Sequence, residues 1–220
     1  MSKELRYTMG YVLHMFVYVV VSAGDESSNG VDASHMQSFY FVRHGQTDWN
    51  ANNRVPELTD YGLNAIGRQQ AKDLCNHMAD VTFAACFASD LKRAYDTASM
   101  LTNNQLEITR DARLRERDYG ILQGQKIDEE KQTPEQLATI EKQEDFAQRI
   151  TAFLQELSQM ESSGPILVVS HAGCMRIMLA SLLQSSVSES SRIAVKNMGY
   201  FKAHFCDDHW VIDHMQGIDF

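Results

Sequence analysis

Two arginines, two histidines and a glutamate carry most of the chemistry available to this chain. Arg43 and His44 end the run Phe39-Tyr40-Phe41-Val42 and stand directly before Gly45. An apolar, β-forming run that stops at charged and small residues reads as a buried strand delivering its last residues to a sheet edge, where open α/β sheets bind ligands. An anion suits that end: a guanidinium offers forked donors, a glycine lets the backbone approach closely, and an imidazole can act as nucleophile. His171 repeats the arrangement, because Ser170-His171-Ala172-Gly173 follows directly on Ile166-Leu167-Val168-Val169. Arg93 follows the run Phe83-Ala84-Ala85-Cys86-Phe87-Ala88 and Ser89-Asp90, in what would be the first turn of a helix. Unpaired N–H groups and the helix dipole favour an anion there too. Glu116, inside Arg115-Glu116-Arg117-Asp118-Tyr119-Gly120, adds a carboxyl group. Taken singly, Arg93 also fits a solvated surface cation, and Glu116 a partner for a neighbouring arginine.

The elements that must position these residues follow from periodicity. A polar loop after Asn50 leads to a helix over residues 59–79, capped by Thr59, with Leu63, Ile66, Gln70, Leu74 and Met78 at three- and four-residue steps. The run ending at Ala88 is a second strand, followed by a helix from Leu91, and Ile108-Thr109 begins a third. Thr133, Pro134 and Gln136 form a capping-box helix start. That helix continues with interruption towards Met160, with Phe146, Ile150, Phe153, Leu154 and Leu157 as its inward stripe. The strand before Ser170 precedes a helix over residues 174–183, a serine-rich loop, and closing strands near Ile193-Ala194-Val195, residues 200–205 and Trp210-Val211-Ile212. Strands alternating with helices imply an α/β fold: a three-layer sandwich with a mostly parallel sheet and helices on both faces.

Bulk properties narrow the function. The chain has 220 residues, room for one substantial core rather than two domains. A net charge of −9 argues against a general nucleic-acid binder, which needs a basic field. It leaves room for a small phosphorylated substrate, since a few converging arginines dominate locally. Cys75, Cys86, Cys174 and Cys206 show neither zinc-type pairs nor dense disulfide spacing, and read as free thiols of a reducing compartment. His77 reads as a surface residue. His204, His209 and His214 lack a carboxylate or cysteine at ligand spacing and read as surface or edge-strand histidines, so no metal site is expected.

Residues 1–35 differ from the rest. Lys3 and Arg6 precede the apolar run from Tyr11 to Val21, and Ser22-Ala23-Gly24 follows, in the pattern of a signal peptide; the run is too short to span a bilayer. A non-native extension or tag ending in Ser34-His35-Met36, or a real structural addition, are the other readings. We expect an N-terminal extension over 1–35 and one domain over 36–220. The expected location is the cytoplasm without stable membrane association, or a secreted or periplasmic one if the signal-like segment is real.

Four segments in order resemble the histidine phosphatase superfamily, which includes cofactor-dependent phosphoglycerate mutases and many small phosphatases. These are Arg-His-Gly-Gln-Thr-Asp-Trp-Asn from Arg43; Ser89-Asp90-Leu91-Lys92-Arg93-Ala94-Tyr95-Asp96-Thr97-Ala98; Leu114 to Gly124 around Glu116; and Ser170-His171-Ala172-Gly173. The resemblance covers nearly all of residues 36–220. It implies the phosphoglycerate mutase-like fold, with His44 as nucleophile forming a phosphohistidine and Glu116 as proton donor. Arg43, Arg93 and a protonated His171 would hold the phosphoryl oxygens. Gly45, Thr47, Asn50, Arg54 and Ala172 would complete the substrate pocket, and neither metal nor other cofactor is needed. Alanine at 172, where the family usually has glycine, adds a methyl group beside the phosphate. Three functions follow: a phosphomonoester phosphatase, a phosphoglycerate mutase, or a non-catalytic phosphate binder. The stretch after Asn50 reads as shortened, with Arg54 followed directly by Val55-Pro56-Glu57-Leu58-Thr59, and about fifty residues separate Glu116 from His171. Both suggest an open pocket and favour hydrolysis, while the wording around Glu116 looks mutase-like. Neither the identity of the phosphorylated metabolite nor the oligomeric state is legible.

Overall fold

Strand β1 (Ser38–Arg43) sorts its side chains by pleat. Phe39 and Phe41 enter one apolar cluster, while Tyr40 and Val42 join another on the opposite face. A strand needing cover on both faces belongs in the middle of a sheet, and there it lies. The computed structural model describes residues 37–56, 58–59, 61–126 and 132–220; the expectations for residues 1–35 lie outside them. Within these, β1, β2 (Ala85–Ala88), β3 (Ile108–Arg110), β4 (Ile166–Ser170), β5 (Ala194–Cys206) and β6 (His209–Asp219) form one sheet in the order β3-β2-β4-β1-β5-β6. The first four run parallel, whereas β5 pairs antiparallel with both β1 and β6.

Helices α2 (Ala65–His77) and α3 (Lys92–Leu101) cover one face through Ala71, Leu74, Met78, Ala94, Ala98 and Leu101. Helices α5 (Gln143–Gln159) and α6 (Ala172–Leu182) cover the other. The predicted stripe of α5 is buried in full. Two short helices, α1 (Asp48–Ala51) and α4 (Pro134–Leu137), carry capping boxes, Thr47 with Asn50 and Thr133 with Gln136. The interruption foreseen before Met160 is the gap between α4 and α5. No helix among the described residues is long and apolar enough to cross a membrane.

One helix start departs from expectation. Asn64, not Thr59, caps α2, its side chain accepting from the Gly67 N–H at 2.8 Å. Leu58 N–H is instead held by Gln123 Oε1 at 2.7 Å. The helix phase shifts with its start, so Ile66, expected on the core face, is 57% exposed and Gly67 takes the inward place. At the other end of the chain the expected strand near Ile193 and the one at residues 200–205 are a single strand, β5. A register shift between Val195 and Tyr200 interrupts it, with Met198 at a φ of 59°.

Candidate active site

Parallel pairing brings three strand ends side by side: Arg43 lies opposite Ser170, and Ala88 opposite Val169. The ladder continues one step past the strands, through His44 N–H to Ser170 O at 2.9 Å and Ser89 N–H to Val169 O at 3.0 Å. This register sets His44 against His171, ring centroids 5.1 Å apart, with Ser89 between β2 and α3. His44 is 6% exposed, and its Nδ1 lies 2.7 Å from Gly45 O. A carbonyl only accepts, so Nδ1 carries the proton and the Nε2 lone pair is left for chemistry. His171 is fully buried; its Nε2 meets Ser89 Oγ at 2.9 Å, and its Nδ1 has no hydrogen-bond partner among the described residues.

The cations close around this pair. Arg43 donates to Val195 O, which the irregular start of β5 presents. Burial lowers the Arg43 pKa to about 10; Glu116 opposes the shift, and Arg176 and Arg93 add to it, so Arg43 stays charged at neutral pH. Arg93, 1% exposed in the first turn of α3, lies over the Tyr61 ring at 4.7 Å. Burial first, then Arg93 and Arg43, holds His44 well below the usual imidazole range. Burial, Arg93 and His44 do the same to His171. Protonating His171 would set a third buried cation beside Arg43 and Arg93, so the pocket by itself favours the neutral ring. Glu116, 6% exposed, accepts from Arg117 N–H at 2.9 Å and from Gly173 N–H, in the first turn of α6, at 3.1 Å. A Cβ at Gly173 would stand 2.1 Å from Glu116 Oε1, so only glycine admits the carboxyl group there. Beside Glu116 opens a cavity of about 310 Å³ whose walls include Leu58, Arg115, Asp118, Glu141 and Arg149.

The structure brings Arg43, His44, Arg93, Glu116 and His171 together, while the predicted substrate-binding set divides. Ala172 begins α6 just after the cap residue His171, with its N–H at the positive helix end. Gly45 N–H is already given to Thr97 Oγ1 at 3.2 Å, so Gly45 contributes its lack of a side chain: a Cβ would meet Gly67 O at 2.6 Å. Thr47 and Asn50 serve each other in the α1 cap; Asn50 Nδ2 also donates to Asn197 Oδ1 at 2.9 Å, and Asn197 Nδ2 donates to His44 O at 3.1 Å. Arg54 is exposed, donating to Gly124 O at 2.8 Å and lying over Trp49.

Sequence reasoning missed Ser89, Thr97, Gly67, Gly173 and Asn197. A glycine inside a helical pattern was the available signal for Gly67, whose Cβ would stand 2.1 Å from Gln46 O. Nothing local marks Asn197, because only the β5 irregularity turns it toward His44.

A family model, histidine phosphatase superfamily (branch 1), matches residues 39–217. The chain belongs to that family. Among curated relatives, the uncharacterized phosphatase PhoE of Bacillus subtilis is 28% identical over 181 residues, covering 80% of this chain and 93% of that one. The probable phosphoglycerate mutase GpmB of Salmonella arizonae is 27% identical over 190 residues, covering 80% and 88%. Among solved structures, a mycobacterial glucosyl-3-phosphoglycerate phosphatase in complex with VO3 superposes with a TM-score of 0.71 at 27% identity, covering 80% of this chain and 97% of that one. The fold of this superfamily member is phosphoglycerate mutase-like, a mixed six-stranded sheet between two helical layers.

Proposed function

We propose that the chain is a phosphomonoesterase that hydrolyses a small phosphorylated metabolite through a phosphohistidine on His44, with no metal or other cofactor. The His44 tautomer carries this reading: Nδ1–H is committed to Gly45 O, so Nε2 presents its lone pair to phosphorus. Nε2 attacks in line, the ester P–O bond breaks, and Glu116 in its acid form gives its proton to the leaving oxygen. Water then attacks the phosphohistidine, the P–N bond breaks, Glu116 takes back a proton, and inorganic phosphate leaves with His44 restored. Arg43, Arg93 and the first-turn N–H of Ala172 compensate charge on the non-bridging oxygens. Those oxygens supply the acceptor that His171 Nδ1 lacks, and the arriving dianion draws a proton onto that imidazole. The cavity beside Glu116 lies where the leaving alcohol would extend, and its walls of both charge signs suit a polar one. Four free thiols support a cytoplasmic location.

Hydrolysis rather than transfer is supported by the short segment between Glu116 and His171 and by the phosphatase names of PhoE and the mycobacterial relative. GpmB bears the mutase name. Trapping tests the reading: brief exposure to a chromogenic phosphomonoester should leave acid-labile phosphorus on the wild type. His44→Ala should lose it together with at least about 10⁴-fold in turnover. Turnover unchanged in that variant would sink the mechanism. Conversion of 3-phosphoglycerate in the presence of 2,3-bisphosphoglycerate, without release of phosphate, would select the mutase instead.

A further inference from the structure

Tyr61 belongs to the site although no motif includes it. It forms a column with three other side chains: Arg93 lies 4.7 Å from the centre of the Tyr61 ring, Tyr61 and Trp49 stack at 5.5 Å and 28°, and Arg54 lies 5.4 Å from the Trp49 ring. Two local features put Tyr61 there. A Cβ on Gly62 would stand 3.0 Å from Asp96 Oδ2, so the chain presses against α3 at this point, one turn from Arg93. Leu63, 5% exposed, then anchors the segment in the core before Asn64 caps α2.

We infer that Tyr61 is a positioning residue that fixes the plane of the Arg93 guanidinium so that its edge meets the phosphoryl group. The inference rests on the proposed phosphate site and deepens it. An arginine side chain has four soft torsions, and ordering it costs entropy that a binding site must meet before the ligand arrives. The Tyr61 ring, with Arg93 Cζ over it, orients the guanidinium through the π quadrupole. Trp49, stacked behind Tyr61 and itself faced by Arg54, keeps the ring from turning away.

Binding of inorganic phosphate, followed by ³¹P-NMR titration into the high-millimolar range, tests this without needing turnover. Tyr61→Phe, which keeps the ring, should bind within about twofold of wild type, and Tyr61→Leu about tenfold more weakly. Phosphate should bind Tyr61→Leu/Arg93→Ala no more weakly than Arg93→Ala alone, the coupling expected of a residue that reaches phosphate through that guanidinium. If Tyr61→Leu does not fold, Tyr61→Met fills the space without a ring face and carries the same forecast. Equal losses from Tyr61→Leu in the wild-type and Arg93→Ala backgrounds, or no loss in either, would overturn the inference. Phosphate binding as forecast without ester turnover would discard the hydrolase reading and leave this one standing.

Discussion

Two sets of arginines in this protein are held in opposite ways. Arg113, Arg115 and Arg149, on the flank that carries Glu116, are tied by carboxylates. Arg113 pairs with Asp111 and Glu156, Arg115 with Asp90 through two bonds of 2.8 and 2.5 Å, and Arg149 with Glu141 at 2.8 Å. Arg149 also donates to the carbonyls of Arg113, Arg115 and Glu116. At the strand ends, Arg43 is held by the Val195 carbonyl and Arg93 is faced by the Tyr61 ring. A carboxylate cancels the charge it holds, whereas the Val195 carbonyl leaves the charge of Arg43 in place. The first set builds a shelf; the second adds to burial, the larger cause, in holding both histidine pKa values down.

Function and stability should therefore separate between the sets. Replacing Arg43 with Met should lower kcat/KM about a thousandfold, the scale of removing one preorganised donor from a developing oxyanion. Thermal unfolding of the phosphate-free protein should not fall with it, because burial already disfavours that charge. A Tm loss matching the activity loss would break the comparison at once. The reverse holds on the shelf: Arg149→Leu strips the carbonyls of Arg113 and Glu116 of their donor and takes the charged donor from Arg115 O and the Glu141 carboxylate. It should cost about 3 kcal/mol in urea unfolding, with Arg149→Lys restoring only part because an ammonium cannot reach them all in one plane.

The two sets also differ in how far the sequence reveals them. Arg43, His44, Arg93 and His171 were legible because each ends or follows an apolar run, and parallel pairing then brings such ends together whatever the loops do. Glu116 was legible by resemblance alone; its seat depends on the first turn of α6, fifty-odd residues away in sequence. Thr47 and Asn50 were read as substrate contacts because they follow the nucleophile, but their polar atoms are used in a cap and in the link to Asn197. The misplaced start of α2 shows the limit of local rules. Thr59 and Asn64 are both competent caps, and tethering of Leu58 by Gln123 together with the close approach of Gly67 to Gln46 decides between them. Those contacts join segments distant in the chain, so no window of sequence contains the answer.

The smallest expected effect reads the burial of the two histidines together with the cations beside them. An imidazole in an unfolded chain titrates near 6.5, and both His44 and His171 are held well below that in the folded, ligand-free pocket. Above pH 6.5 both states leave these rings neutral and the contribution to stability is full. As pH falls from there toward the folded values, the unfolded chain takes up protons that the pocket refuses. Stability then declines by up to about 1.4 kcal/mol per pH unit for each ring. Carboxylates whose pKa values are lowered, such as Asp90 beside Arg115 and Glu141 beside Arg149, lose their contribution only below the ordinary carboxylate range, so the windows separate. Unfolding measured between pH 7 and 5 should show this decline in the wild type and roughly half of it in His171→Phe. Inorganic phosphate should flatten it, since a bound dianion favours the protonated rings that the arginines oppose. If the decline survives unchanged when both histidines are replaced, neither their burial nor the charge of Arg43 and Arg93 sets it.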